Sequence, residues 1–180
     1  LELTPDLTGY DIVHVFNLMR PQELYLQVKN AKKYGKKVAL STIYGPYEEY
    51  EKKARGGILQ IINNLLSITQ IEYLKVIARL FLNFEVSKGT FVYLINGHKR
   101  LQKKIVRMVD VFLPNSHSEM ERVAKDFKLS DYKYVAVANA VDINKFDYNK
   151  VSIDKEFEKY KDCILCVSRI EGRKNQLNII

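Results

Sequence analysis

The stretch DVFLPNSHSEMERVAKDF, residues 110–127, decides the fold because a strand signal passes directly into a helix signal within it. Residues 110–114 form a short apolar run that predicts a strand. Ser116 and Glu119 then have the spacing of a capping box, which marks the start of a helix. That helix carries one apolar stripe, made of Met120, Val123, Ala124 and Phe127. A strand followed closely by a helix is the repeating unit of a parallel, helix-covered sheet.

The same unit recurs on both sides of this stretch. Apolar runs predict four further strands, at residues 11–16, 37–43, 133–138 and 163–167. Helical patterns lie between them, at residues 21–35, 58–68, 74–81 and 97–109. We therefore predict an α/β fold, with a Rossmann-like parallel sheet that contains the first four strands and has helices on both faces.

The composition is that of a globular protein. The chain has 180 residues, of which 47% are hydrophobic and 28% are charged, enough for one domain or for parts of two. The longest apolar-rich run, residues 58–71, is too short and too polar to span a bilayer, and no signal-peptide pattern opens the chain. We expect a cytoplasmic protein. Its net charge of +8 suggests anionic partners, although a lysine-rich solvated surface would give the same value.

The cysteines and histidines do not predict a metal site. Cys163 and Cys166 have C-x-x-C spacing, but they lie in the predicted strand 163–167, where residues three apart point to opposite faces. We therefore expect two buried core thiols. The histidines are scattered along the chain, and none has the spacing of zinc ligands: His14, His98 and His117.

The loop RIEGRK, residues 169–174, has the composition of an anion-binding loop. Arg169 at a strand end and Lys174 at a helix start supply two positive charges, and Gly172 permits a tight turn. The N-terminus of the predicted helix adds amide donors and a favourable dipole. A diphosphate would suit this loop, whereas a solvated connection between strand and helix is the ordinary alternative.

Four segments resemble motifs of the retaining glycosyltransferases of the group 1 family. VANAVDINKF (137–146) resembles their hinge motif N-G-V-D-x-x-x-F, with Ala140 in place of glycine. ILCVSRIEGRKNQLNII (164–180) is similar to the opening of their second domain, with Ser168 in place of glycine. The other two segments resemble parts of their first domain: VDVFLPNSHSEMERVAKDF (109–127) and YDIVHVFN (10–17), in which Phe16 replaces the second histidine of D-I-V-H-x-H.

The resemblance implies a GT-B fold, in which two Rossmann-like domains face each other across a cleft. Residues 1–143 would belong to the acceptor-side domain, 144–161 to the linker, and 162–180 to the start of the nucleotide-sugar-binding domain. The implied activity is sugar transfer from a nucleotide-sugar donor to a glycan or lipid-linked acceptor, with retention of configuration. Because most of the donor domain would lie outside these 180 residues, we expect them to be inactive alone.

The resemblance also implies roles for individual residues. Arg169 and Lys174, with Gly172, would bind the donor diphosphate. No D-x-D sequence occurs in the chain, so we expect neither a metal nor another cofactor. His14 is the candidate catalytic residue. Three further residues would form the acceptor side of the cleft: Ser41, Ser116 and Asn139.

A basic helix leaves a second function open. Residues 97–109 are rich in lysine and arginine and contain no acidic residue. A solvated helix face would explain this composition, and so would contact with an anionic membrane or a lipid diphosphate, which the amphipathic residues 58–81 favour. The alternative function is thus a non-enzymatic basic module that binds nucleic acid or an anionic membrane surface. We expect no nucleic acid, because the chain lacks an aromatic-rich RNA-binding signature and zinc-finger spacing.

Overall fold

Strands and helices alternate along the described part of the chain. The computed structural model describes residues 2–45, 70, 73–74, 77, 88–147, 149–150, 154–169 and 176–179. The strands in these ranges are β1 (Ile12–Phe16), β2 (Lys37–Ser41) and β3 (Val111–Phe112). The α-helices are α1 (Pro21–Lys33), α2 (Lys88–Asn96), α3 (His98–Val106) and α4 (His117–Phe127), and short 3-10 helices span Lys155–Tyr160 and Gln176–Asn178. Most of the predicted helical region 58–81 lies outside the described residues, as do Gly172 and Lys174.

The strands form a parallel sheet in the order β1-β2-β3, in which Leu40 lies beside Phe112. The predicted fourth strand extends this sheet, because Tyr134 forms a parallel bridge with Phe112. Phe112 N donates to Lys133 O at 2.9 Å, and Val135 N donates to Phe112 O at 3.0 Å. The prediction of four parallel segments in one sheet is confirmed, although the fourth is a bridge rather than a full strand.

In β1, alternate residues separate a buried face of the sheet from an exposed face. The buried face packs in one cluster with apolar side chains of α1, α3 and α4; its members include Val15, Val38, Leu40 and Phe112. On the other face, β1 exposes Ile12, His14 and Phe16. When strands follow each other in sequence order, right-handed crossovers put every connecting helix on the same side. The sequence predicted helices on both faces, whereas the described helices pack on one.

Local sequence signals explain where α1 and α4 begin and end. Pro21 is the first residue of α1, where its missing N–H leaves no hydrogen bond unmade. Gly35 follows the end of α1 and has a left-handed backbone conformation, with φ of +67°. Ser116 caps α4, because its Oγ accepts a hydrogen bond from Glu119 N at 3.2 Å. The predicted stripes pack against the core: Leu24, Val28 and Ala31 in α1 and Met120, Val123 and Phe127 in α4 are buried, and Ala124 is partly buried.

Helix α2 is not predicted by the sequence, because KGTFVYLIN contains a glycine and β-branched residues that favour strands. Tertiary packing stabilises it instead. Tyr93 of α2 and Leu101 of α3 form a small second cluster, and Tyr25 of α1 packs against it. Tyr93 Oη lies 3.0 Å from His98 Nδ1, so His98 is a buried, hydrogen-bonded histidine of the core.

Residues 163–167 are not a strand, contrary to the prediction. Ile164, Leu165 and Val167 are 78%, 84% and 86% exposed. Cys163 and Cys166 are exposed free thiols, so the prediction of buried core cysteines is wrong as well. An apolar run becomes a buried strand only when neighbouring strands pair with it and helices cover it. None of the described strands pairs with these residues.

Asp110 links the amino ends of β2 and β3 to α1. Its Oδ2 accepts hydrogen bonds from Val38 N at 2.7 Å and from the Lys32 ammonium, and Lys37 Nζ lies 3.4 Å from Oδ1. Burial raises the pKa of Asp110, but the hydrogen bonds from Lys32 and Val38 and the charges of Lys32 and Lys37 outweigh burial. The pKa of this carboxyl therefore lies below its ordinary value.

Asp110→Asn should lower the free energy of unfolding by about 1–3 kcal/mol at neutral pH, because it removes a charged hydrogen-bond acceptor. The folded-state pKa is depressed, so the stabilisation is present above the unfolded value of about 3.9 and is lost as the pH falls through the folded value. Urea titrations of both proteins should therefore converge at acidic pH. Lys37→Gln, which removes a mostly exposed partner, is the control and should change stability by less than about 1 kcal/mol. If the stability difference between wild type and Asp110→Asn stayed constant as the pH fell into the acidic range, the lowered pKa of Asp110 would be contradicted.

Candidate functional site

Main-chain hydrogen bonds join the carboxyl ends of β1 and β2. Asn17 N donates to Ser41 O at 3.0 Å, and Leu18 N donates to Thr42 O at 2.8 Å. Gln102 of α3 adds a buried side-chain hydrogen bond, from Nε2 to Leu18 O at 2.9 Å. The loop after β1 is therefore held beside the loop after β2. This is the edge at which open parallel sheets bind their ligands.

Glu119 of α4 joins the loop after β2 to the loop after β3. Its Oε1 accepts from Thr42 Oγ1 at 2.5 Å and from Tyr44 N at 2.6 Å, and its Oε2 accepts from Asn115 N at 2.8 Å. Both Thr42 and Glu119 are buried. In a capping box this carboxylate would return to the amide of Ser116. The carboxylate binds Asn115 and the loop after β2 instead, so only half of the predicted capping box forms.

Ile43 lies between the two residues that Glu119 binds and has a left-handed backbone, with φ of +43°. That conformation is an outlier for a β-branched residue and costs on the order of 1–3 kcal/mol. The hydrogen bonds to Thr42 and Tyr44 hold it in place from both sides. Backbone strain of this kind clusters at binding and catalytic sites. The loop after β2 is therefore the centre of the candidate site.

His14 and Ser41 form a hydrogen-bonded pair beside this loop. His14 Nε2 lies 2.9 Å from Ser41 Oγ. The Phe16 ring packs on the imidazole with the two centroids 4.1 Å apart. The sheet register explains the contact, because Phe16 lies beside Ser41 and alternate residues of a strand share a face. The sequence named His14 and Ser41 separately, and the fold brings them together.

A cleft of about 400 Å³ runs along β1 and α1 next to this pair. His14 and Phe16 line it together with Asn17, Arg20 and Glu23. Arg20 Nη2 is 3.6 Å from Glu23 Oε1, and both side chains are well exposed, so this ion pair is weak. The Arg20 guanidinium is therefore available to a ligand. The volume falls within the range of small-molecule sites.

Three other predicted site residues have different surroundings in the described part of the chain. Ser116 uses its hydroxyl to cap α4. Asn139 is exposed in the segment that follows the bridge at Tyr134. Arg169 is exposed, and its carbonyl accepts a hydrogen bond from Gln176 Nε2 at 2.8 Å. Their roles stay predictions, as do those of two residues outside the described ranges: Gly172 and Lys174.

Neither a metal-binding cluster nor a membrane-spanning helix occurs among the described residues. No three or more histidine, cysteine, aspartate or glutamate side chains in these ranges are placed to hold a metal ion. No helix of the described chain combines the length and the hydropathy that crossing a bilayer requires.

Glu119 is the site residue that sequence reasoning missed, whereas Thr42 and Arg20 lie at or just after the carboxyl ends of the first two predicted strands, where an open parallel sheet binds its ligands. The capping-box spacing identified Glu119 only as part of a helix start. Its partner Thr42 lies 77 positions earlier, and nothing local in the sequence pairs the two. The sequence around Arg20 carries a local signal, because this cation directly precedes Pro21 at the junction between a predicted strand and the helix that follows.

No protein-family model matches the chain, and neither a curated protein nor a solved structure is significantly similar to it. The glycosyltransferase resemblance therefore rests on the four motifs in the sequence, and the site described above rests on the geometry of the sheet edge.

Proposed function

We propose that this protein is a glycosyltransferase that moves a sugar from a nucleotide-sugar donor to a glycan or lipid-linked acceptor. The observation that carries the proposal is the His14–Ser41 pair near the carboxyl end of a parallel sheet, in which His14 lines a cleft that runs along β1 and α1. The motif resemblance supports a retaining enzyme of the GT-B fold. Residues 1–143 would lie on the acceptor side of its cleft and residues 162–180 on the donor side.

The chemistry of sugar transfer needs a group that takes the proton of the acceptor hydroxyl. The imidazole of His14 lines the cleft and can take that proton from a sugar hydroxyl bound there, and the Ser41 hydroxyl, 2.9 Å from Nε2, helps to orient the ring. Arg20, on the same cleft, provides a charge that would orient a polar or anionic acceptor. These residues would therefore act on the acceptor rather than on the donor.

The donor side rests on the loop 169–174. Negative charge develops on the leaving phosphate during transfer, and fixed cations or amides stabilise such charge most strongly when they are already in position. Arg169 and Lys174 would supply the cations, and Gly172 would let the main chain approach the phosphate. The absence of a D-x-D sequence supports a reaction that uses no metal.

The basic module is the second candidate function, because α3 carries four exposed cations and Arg107 adds a fifth at its C-terminal cap. Tight, sequence-independent binding of duplex DNA that falls steeply with added salt would favour this candidate. Transfer of labelled sugar from a panel of nucleotide sugars, assayed with the complete gene product, would favour the enzyme.

His14→Phe in the complete gene product should lower kcat/KM for transfer by roughly a hundredfold, the lower end of the effect of losing a general base. Phenylalanine keeps a ring of similar size beside Phe16 but has no nitrogen. Ser41→Ala should lower kcat/KM by up to about tenfold, because it removes one hydrogen-bonding partner. The measurement is the initial rate of sugar transfer at several acceptor concentrations.

Ile12→Ala is the matched control for His14→Phe. Ile12 lies two residues earlier on the same exposed face of β1, but outside the cleft. Its substitution should leave the transfer rate unchanged. Full activity of His14→Phe, or an equal loss in Ile12→Ala, would show that the His14–Ser41 pair is not the acceptor site.

A further inference from the structure

Helix α3 has one buried side and one exposed side on which every charged residue is basic. Leu101, Gln102 and Ile105 are buried against the core. The opposite side carries exposed cations: Lys99, Arg100, Lys103, Lys104 and, at the C-terminal cap, Arg107. Not one of these five forms an ion pair in the described part of the structure. The strip therefore keeps its full positive charge.

Helix α2 places apolar side chains where a surface helix usually has polar ones. Phe91 and Ile95 are 58% and 81% exposed. They lie four residues apart and so share one face of α2, opposite the buried Gly89 and Tyr93. Tyr93 anchors α2 to the core on its other side, and packing among the described residues does not account for Phe91 and Ile95 on the outer face.

The basic strip of α3 lies next to the C-terminal end of α2, where Ile95 is exposed. Only Gly97 separates the two helices in sequence. Lys104 Nζ donates a hydrogen bond to Asn96 Oδ1 at 2.6 Å, which places a cation of the strip next to the residue that follows Ile95. We define the α2–α3 surface by six residues: Phe91, Ile95, Arg100, Lys103, Lys104 and Arg107.

We propose that the α2–α3 surface binds the protein peripherally to an anionic lipid bilayer. The cations fit the negative surface of such a bilayer, and Phe91 and Ile95 fit the apolar boundary just beneath its headgroups. A nucleic acid would match the cations but would leave the two apolar side chains without a role. This inference does not depend on the proposed sugar transfer, because it uses neither the cleft nor the loop 169–174.

The test is sedimentation with vesicles of phosphatidylcholine alone or with added phosphatidylglycerol. Wild-type protein should bind only the anionic vesicles, and added salt should release it. Arg100→Gln, Lys103→Gln and Arg107→Gln combined should weaken this binding by roughly a hundredfold, about fivefold for each cation. Phe91→Ser with Ile95→Ser should weaken it by about tenfold. Melting curves of both variants should match the wild type, because all five side chains are exposed.

A charge-matched control separates a specific surface from net charge. Lys155→Gln, Lys159→Gln and Lys161→Gln remove the same charge from the exposed segment around the 3-10 helix Lys155–Tyr160 and should leave vesicle binding nearly unchanged. Equal losses of vesicle binding in the two triple variants would overturn the proposal. Failure of the wild-type protein to bind anionic vesicles would overturn it as well. The protein could instead bind duplex DNA more tightly than vesicles, with an affinity that Phe91→Ser and Ile95→Ser do not change. That result would overturn the proposal in favour of nucleic acid.

Discussion

Glu119→Ala should lower the free energy of unfolding by about 3–5 kcal/mol, because three hydrogen bonds to one carboxylate are lost at about 1–3 kcal/mol each. The substitution leaves the Thr42 hydroxyl and the amides of Tyr44 and Asn115 without their acceptor. Thr42 is completely buried, so water does not readily replace the lost carboxylate. The strained backbone of Ile43 also loses the two contacts that hold it. Urea unfolding followed by circular dichroism measures the change.

Two matched variants isolate the carboxylate of Glu119. Glu119→Gln keeps the shape and one carbonyl acceptor, so it should cost less than Glu119→Ala. Glu121→Ala removes an exposed acid from the same helix and should change stability by no more than about 0.5 kcal/mol. If Glu119→Ala were as mild as Glu121→Ala, the carboxylate would not be what holds the loops after β2 and β3 together.

The sequence predicts most reliably what neighbouring residues decide. Pro21 and Ser116 start α1 and α4 where their local chemistry requires, and Gly35 follows the end of α1. The first three strands are also placed correctly, because short apolar runs between helices have few other uses in an α/β protein. In each case the causes lie within a few residues of the effect.

Contacts between distant residues account for what the sequence did not predict. The run 163–167 has the composition of a buried strand, but its burial depends on neighbours that its own residues do not specify. Helix α2 shows the reverse case, since contacts with α1 and α3 override a local preference for strand. The role of Glu119 likewise depends on Thr42, which lies far away in the sequence.

Strand order links these structural differences to the candidate site. A chain in which strands and helices alternate can arrange its strands in several orders within the sheet. The strand order decides which face of the sheet the helices cover. Because the described strands follow each other in sequence order, the face that carries His14 and Phe16 stays open on β1. The His14–Ser41 pair is therefore accessible beside its cleft. A sheet with helices packed over that face would bury both side chains.

Lys174→Ala in the complete gene product should lower the turnover of sugar transfer by roughly a hundredfold or more, the usual scale for losing one preorganised electrostatic stabiliser. In the proposed mechanism Lys174 neutralises the charge that grows on the leaving diphosphate, and Arg169, five residues earlier, shares that task. Melting curves should stay close to wild type, because a lysine at a predicted helix start opposes the helix dipole slightly and adds little to folding.

Arg173→Ala is the neighbouring control, since it removes the same charge one position earlier in the sequence and should reduce turnover much less. The position matters because a cation stabilises the leaving phosphate only where it reaches the developing charge. EDTA should leave the wild-type rate unchanged, and added magnesium should not rescue Lys174→Ala, because the sequence contains no D-x-D pair to hold the ion. Equal losses in Lys174→Ala and Arg173→Ala would assign the effect to net charge. Loss of wild-type activity in EDTA would contradict the fixed-cation mechanism and support one in which a bound metal ion stabilises the leaving diphosphate.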